Sequence, residues 1–248
     1  MANIQVSIII ATYNSGKTLQ RALDSVMNMT FQDWECIIVD GDSTDNTISI
    51  IVSYEKRDPR FRHISEPDNG IYDAFNKGWK MAKGEWVHYL GSDDELMPNG
   101  LLGLIKEAHN YDAVYGNIYL MKNGQKYKIQ KSKLPDFYGT EAFCGHQALI
   151  MRRYVFSAIN GFDMHYPILA DWDLIRRAGQ KGYKFKRIDC VVASFSTSGA
   201  SSGNFKASIE GFHIYRKTNV VYKSVITLLW RLLRKSLLII KRKLCDNL

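Results

Sequence analysis

Two short segments, Gln5-Val6-Ser7-Ile8-Ile9-Ile10-Ala11 and Glu35-Cys36-Ile37-Ile38-Val39, are nearly continuous in apolar, largely β-branched residues. A strand without a polar face must be covered on both sides, as strands of a parallel sheet are. Helical periodicity follows each run. Leu19, Ala22, Leu23 and Val26 share one face of a segment reaching about Met29, with Ser15 placed as its N-cap, and a second helix spans about 44–54. A short strand over 60–65, a helix over 70–83 with Gly84 as its C-cap, and a strand over 85–90 continue the alternation. Strands joined by helices of this length imply right-handed crossovers and a mostly parallel α/β sheet.

Beyond Pro98 the pattern changes. A helix to about Asn110 leads into strands over 112–121 and 125–130 that meet near Asn123-Gly124 as a hairpin. Residues 135–143 read as a loop or short helix, 148–151 as a short strand, 171–181 as a helix and 184–195 as one or two strands. Gly199 to Gly203 reads as a mobile loop, and the chain from about Lys206 as helical to its end. The four cysteines, Cys36, Cys144, Cys190 and Cys245, form no CxxC pair, which argues against a zinc site or a disulfide framework and for a reducing compartment. No signal peptide or N-terminal anchor is expected, because the apolar run after Val6 is short and no basic segment precedes it.

Three strand ends, at Thr12-Tyr13-Asn14, Asp40-Gly41-Asp42 and Ser92-Asp93-Asp94, fall on one edge of such a sheet, the edge where α/β proteins bind ligands. An aromatic there can stack on a base, a carboxylate can accept from a base or ribose donor, and paired Asp oxygens suit Mg²⁺ or Mn²⁺ on a diphosphate. Each residue also has a plainer use: Tyr13 as packing, Asp42 and Asp45 as helix caps, and Asp93-Asp94 as a solvated turn before Pro98.

The ordered set resembles the family 2 glycosyltransferases, whose nucleotide-diphospho-sugar transferase fold is called GT-A. The resemblance is carried by Val6 to Asn14, by Ile37-Ile38-Val39-Asp40-Gly41-Asp42-Ser43-Thr44-Asp45-Asn46-Thr47 and by Asn76-Lys77-Gly78 with Ala82-Lys83-Gly84. Leu90-Gly91-Ser92-Asp93-Asp94 with Pro98, and Gly161-Phe162-Asp163 followed by Asp171-Trp172-Asp173-Leu174, complete it. Ser65 to Asp73 is further similar to the branch that assembles bacterial surface polysaccharides such as O antigen and colanic acid. The resemblance implies a GT-A domain over 1–205 and an inverting transfer of a hexose or N-acetylhexosamine from a UDP-sugar to a polyprenyl-diphosphate-linked saccharide, with Mn²⁺ or Mg²⁺. It places Thr12, Tyr13, Asn14, Asp40, Asp42, Asp68, Asn76, Ser92 and Asp93 around the donor, Asp93 and Asp94 on the metal, and Asp171 as the general base with Asp173 as the fallback. His146 and Trp172 fall near the acceptor or diphosphate. Two positions depart from the family pattern. The usual D-x-D triplet begins here with Gly91, so Asp93 with Asp94 must carry the metal; Asp40-Gly41-Asp42 replaces the usual Asp-Asp-Gly, leaving the base contact open among Asp40, Asp42 and Asp68.

Charge sets the tail apart. Of 33 Lys and Arg, nine lie between Gly211 and Cys245 with no acid among them; without these, 24 basic residues face 25 acidic ones. That localisation opposes a nucleic-acid surface. On a helical wheel over 220–244, Lys223, Arg231, Arg234, Lys235, Lys241 and Arg242 fall within about 120° of arc opposite an apolar face. Arg231, Arg234 and Lys235 exclude a membrane span. The expectation is therefore a basic amphipathic tail over 206–248, holding a cytoplasmic protein peripherally on the inner, anionic face of the membrane; packing on its own domain or in a homo-oligomer is the other use of such a face. Two rival readings remain. A sugar nucleotidyltransferase would want a Gly-rich, basic loop after the first strand, which Thr12 to Lys17 supplies only in part; a non-catalytic membrane scaffold would have no use for Asp93, Asp94 and Asp171.

Overall fold

The computed structural model describes residues 4–122, 125–196 and 205–217, together with Ile226 and Leu229. Nine strands form one sheet: β1 (Val6–Thr12), β2 (Trp34–Asp40), β3 (Phe61–Ser65), β4 (Trp86–Gly91), β5 (Glu95–Leu96), β6 (Ala113–Lys122), β7 (Gln125–Gln130), β8 (Leu149–Arg152) and β9 (Phe185–Ser196). Among the described residues seven α-helices accompany them: α1 (Leu19–Met27), α2 (Thr47–Arg57), α3 (Ile71–Met81), α4 (Gly100–Lys106), α5 (Arg153–Ala158), α6 (Ala170–Gln180) and α7 (Phe205–Arg216). The strand order is β3-β2-β1-β4-β8-β6-β9-β5, with β7 added to β6.

The long ladders β1–β2, β1–β4, β2–β3 and β6–β9 are parallel. Short β8 pairs antiparallel with both β4 and β6, joining the two parallel blocks. Every residue of β1 and β2 is buried because both faces are covered. Ile8, Ile10, Cys36 and Ile38 pack with Leu19, Leu23 and Val26 of α1, whereas Ile9, Ala11, Ile37 and Val39 pack with Tyr72 and Phe75 of α3.

Several local expectations change. Ser15 does not cap α1, which begins at Leu19; the Ser15 carbonyl receives the Thr18 and Leu19 N–H groups, while its N–H donates to Thr47 Oγ1. The α2 helix starts at Thr47 because Ser43, Thr44 and Asp45 are held in cross-loop contacts. Gly84 is not the C-cap of α3, which ends at Met81 with Ala82 as cap residue. Gly84 instead lets two backbones approach, since a Cβ there would lie 2.6 Å from the Ser7 nitrogen. Below it is a buried polar cluster: Glu35 accepts from Ser7 Oγ (2.6 Å), the Lys83 N–H (2.6 Å) and Arg62 Nη2 (3.0 Å), and Gly84 N–H donates to Ser7 Oγ (2.8 Å).

At the C-terminal side α7 packs against the domain, with Ile214 2% and Ser208 3% exposed. The expected boundary at 205 thus falls at the start of a helix the domain partly buries. The loop at 199–203 and the amphipathic segment at 220–244 lie outside the described residues, apart from Ile226 and Leu229. No helix among the described residues is long and apolar enough to cross a membrane. The described cysteines Cys36, Cys144 and Cys190 are free thiols.

Candidate active site at the carboxyl edge of the sheet

The loops after β1, β2 and β4 are laced together. Asn14 N–H donates to Ser43 Oγ (2.8 Å), Thr44 N–H to Asn14 Oδ1 (2.9 Å) and Gly41 N–H to Thr12 O (2.9 Å). Ser15 Oγ and Ser92 Oγ share a 2.9 Å bond that reaches β4. Asn14 and Asp42 have φ of 49° and 66°, a left-handed region that Asn and Asp tolerate best among residues with a side chain. The frame leaves Tyr13 standing out with 63% exposure, while Thr12 is buried with its hydroxyl unpartnered. Asp45 is not the N-cap of α2, which is Asn46; its carboxylate accepts the N–H groups of Gly16 and Thr47 and so ties the two loops together.

The three carboxylates considered for the base have different surroundings. Asp40 is fully buried and accepts from Ser43 N–H (2.9 Å), Ser43 Oγ (2.5 Å) and Ser65 Oγ (2.8 Å), so its oxygens hold the loop between β2 and α2. Asp42 is exposed. Asp68 leans against Gly41, where a Cβ would come 2.8 Å from Asp68 Oδ2 and 3.4 Å from Tyr13 Cδ2. Glycine between Asp40 and Asp42 therefore makes the room in which the Tyr13 ring and the Asp68 carboxylate meet.

Gly91 has a parallel role at the β4 end. A Cβ there would lie 2.8 Å from Asp94 Oδ2 and 3.1 Å from Asp93 Oδ1, so the two carboxylates converge where the first side chain of a D-x-D triplet would start. Asp94 is 3% exposed, and its Oδ1 accepts Ser196 N–H at 3.0 Å. Burial, with the Asp93 charge adding to it, pushes the Asp94 carboxyl up to about 7. A divalent cation would relieve this crowding of like charge, and the oxygens are of the right type for Mg²⁺ or Mn²⁺. The described residues contain no cluster of three or more His, Cys, Asp or Glu that could hold a metal.

Asp171 opens the first turn of α6. Its Oδ1 accepts from Trp172 N–H (2.8 Å) and Tyr72 Oη (3.1 Å), and Oδ2 lies 3.1 Å from His146 Nδ1. The carboxylate is 24% and the imidazole 20% exposed. Burial raises the Asp171 carboxyl, but the hydrogen bond and charge of His146 outweigh it and hold it below the usual value. Burial lowers His146 in turn, and Asp171, then Asp94 and Asp93, raise it above its usual value. The imidazole thus touches Asp171, and the charges of Asp93 and Asp94 after β4 reach it.

Other expected site residues are placed differently. Asn76 spends its amide on Phe162: Nδ2 donates to Phe162 O (3.0 Å), and Oδ1 accepts Phe162 N–H (3.0 Å) and Trp79 Nε1–H (2.9 Å). Trp172 is 3% exposed, with the Arg176 guanidinium 5.3 Å from its ring, so its side chain packs in the core. Asp173 is 2% exposed and paired with Arg177 at 2.6 Å, whereas the Asp171 carboxylate keeps 24% of its surface exposed. Tyr72 went unassigned from sequence; its position one helical turn before Asn76 was the available signal.

The Glycosyl transferase family 2 model matches residues 7–164. A PGL/p-HBAD biosynthesis glycosyltransferase of Mycobacterium bovis is 33% identical over 208 residues, covering 82% of this chain and 80% of the relative. A GalNAc(5)-diNAcBac-PP-undecaprenol beta-1,3-glucosyltransferase of Campylobacter jejuni is 33% identical over 123 residues, 48% of this chain and 40% of the relative. Among solved structures, S. aureus TarS 1-349 in complex with UDP-GlcNAc superposes with a TM-score of 0.69 at 18% identity, covering 90% of this chain and 70% of that one.

Proposed function

The chain belongs to glycosyl transferase family 2 and is a glycosyltransferase, and from that premise we propose that it moves a hexose or N-acetylhexosamine, with inversion, from a UDP-sugar to a lipid-linked saccharide in surface-polysaccharide assembly. The observation that carries this reading is the His146 imidazole, 3.1 Å from Asp171 and within the field of Asp93 and Asp94. Tyr13 stacks on the base, and Asp68 or Asp42 accepts from the base or ribose. Asp93 and Asp94 would hold a divalent cation, which would supply charge neutralisation at the leaving diphosphate. Asp171, ionised through the neutral range, takes the acceptor hydroxyl's proton as that oxygen attacks the anomeric carbon. Oδ1 faces Trp172 N–H and the Tyr72 hydroxyl, whose one proton it shares with the Ile168 carbonyl, while Oδ2 faces His146 alone, so the acceptor's proton arrives at Oδ2. His146 fixes the carboxylate's rotation and balances its charge.

The Campylobacter relative's name supports a polyprenyl-linked acceptor and the TarS complex a UDP-sugar donor. The basic segment over 220–244 supports attachment to an anionic membrane surface. A thermal-shift panel of nucleotide sugars with and without Mn²⁺ tests the donor reading, since a ligand that binds only the folded state raises the midpoint. UDP-sugars should stabilise in a metal-dependent way and be cleaved slowly to UDP; stabilisation by no nucleotide sugar contradicts the proposal. Flotation with anionic liposomes, equal for the full chain and one ending at Lys217, would remove the tail from it.

A further inference from the structure

Beyond the segment matched by the family model, α7 and the residue after it touch the segment leading into α6 at two points. Lys217 Nζ lies 3.4 Å from Asp163 Oδ2 and 4.7 Å from the Tyr166 ring. Glu210, 8% exposed, accepts the N–H groups of Ile168 (3.0 Å) and Leu169 (2.9 Å) on one oxygen, Oε2. A helix start leaves N–H groups without intrahelical partners and favours negative charge, so a carboxylate is well suited to hold it. Solvent could serve such groups; a carboxylate taken from water must gain more than that, since burial penalises its charge. The gain is positional. The Ile168 carbonyl lies 2.8 Å from Tyr72 Oη, the same hydroxyl that contacts Asp171 Oδ1, and Asp171 comes two residues after Leu169.

We infer that Glu210 is a positioning residue for Asp171: by fixing the Ile168–Leu169 turn it sets the Tyr72 hydroxyl and the first turn of α6 so that the Asp171 carboxylate meets His146. The inference rests on Asp171 being the base, and it makes α7 part of the catalytic unit rather than a linker to the tail. Glutamine keeps the accepting oxygen and alanine removes it, so the pair separates geometry from bulk stability.

The test uses the full chain and needs no ligand for its first readout, the proton–nitrogen NMR signal of the His146 Nδ1–H held by Asp171. Glu210→Ala should shift or broaden that signal, and Glu210→Gln should restore it. In UDP release from the UDP-sugar selected by thermal shift, Glu210→Ala should lower kcat roughly ten- to a hundredfold, the range for a misplaced catalytic group, with donor KM little changed and Gln close to wild type. A folded Glu210→Ala chain with the wild-type His146 signal and kcat overturns the inference, as does a Gln variant no better than Ala. Should Glu210→Ala fail to fold, Glu210→Asp, which shortens the reach, replaces it and an unchanged His146 signal there counts equally against. Retained turnover in Asp171→Asn would sink the base assignment instead, leaving the NMR result for Glu210 standing.

Discussion

Replacing Asp171 by Asn removes one charge and almost no shape. The new carboxamide oxygen can still accept from Trp172 N–H and Tyr72 Oη, so two of the three hydrogen bonds survive. The third, to His146, loses its charge. A charge-assisted bond of this kind contributes about 1.5–3 kcal/mol, and relief of the buried carboxylate's desolvation offsets part of that. For a chain of this size about 2–4 °C accompanies each kcal/mol, so the melting midpoint should fall by roughly 3–12 °C, toward the lower end. Chemistry suffers more: loss of a general base costs at least about a hundredfold, or about 2.7 kcal/mol in the barrier. The sign with pH follows from the pair. The Asp171 carboxyl is lowered from 3.8, so its contribution is complete above that value and lost in acid; His146 is raised from 6.5, so its contribution is complete below that value and lost as pH rises through the folded one. The stability gap between wild type and variant is therefore widest between 3.8 and 6.5 and narrows in alkali. Thermal unfolding across pH, donor binding by calorimetry and transfer assays measure the three parts. A folded variant with donor affinity intact and turnover within about tenfold of wild type would refute the reasoning.

Gly91→Ala should force the Asp93 and Asp94 carboxylates apart and strain the Asp94 bond to Ser196 N–H, costing about 1–3 kcal/mol; a lower midpoint and a weaker Mn²⁺ response check it, and an unchanged chain would contradict the crowding. Glu35→Gln should destabilise by roughly 1.5–3 kcal/mol at neutral pH, because Arg62 loses its carboxylate in a largely buried cluster. Burial raises the Glu35 carboxyl, but Ser7, the Lys83 N–H and Arg62 bring it below 4.5, so its contribution is present above that value and lost as pH falls through the folded one. Urea unfolding should show the gap closing in acid. Asn14→Val, a β-branched residue placed at a φ of 49°, should cost about 1–2 kcal/mol and loosen donor binding, while Asn14→Gly should spare the backbone but lose the bond to Thr44.

The strands were legible because runs such as Ile8-Ile9-Ile10 have no polar face to misassign, and the helix over 170–180 because its apolar spacing is regular. Helix starts were not. Ser15 and Thr44 have the chemistry of caps, but their partners, Thr47 and Asn14, come from another loop that spacing along the chain does not reveal. Two-residue β5 carries no periodicity at all. The same limit applies to the site. Residue type distinguishes neither Asp40, which ties down its loop through Ser65 on β3, from an Asp facing a ligand, nor Asn76, committed to Phe162, from one free to bind. Asp171 and His146 were each nameable, but their contact depends on how the turn before β8 meets the start of α6.

The antiparallel β8 bridges β4 and β6, so lateral hydrogen bonding runs unbroken from β3 to β5. A slab stitched across its width cannot hinge along the line of β8 without tearing ladder bonds. On the proposed function, substrate exchange would fall to the connections that rim the slab, and changes of acceptor range would be sought there while the platform keeps its shape.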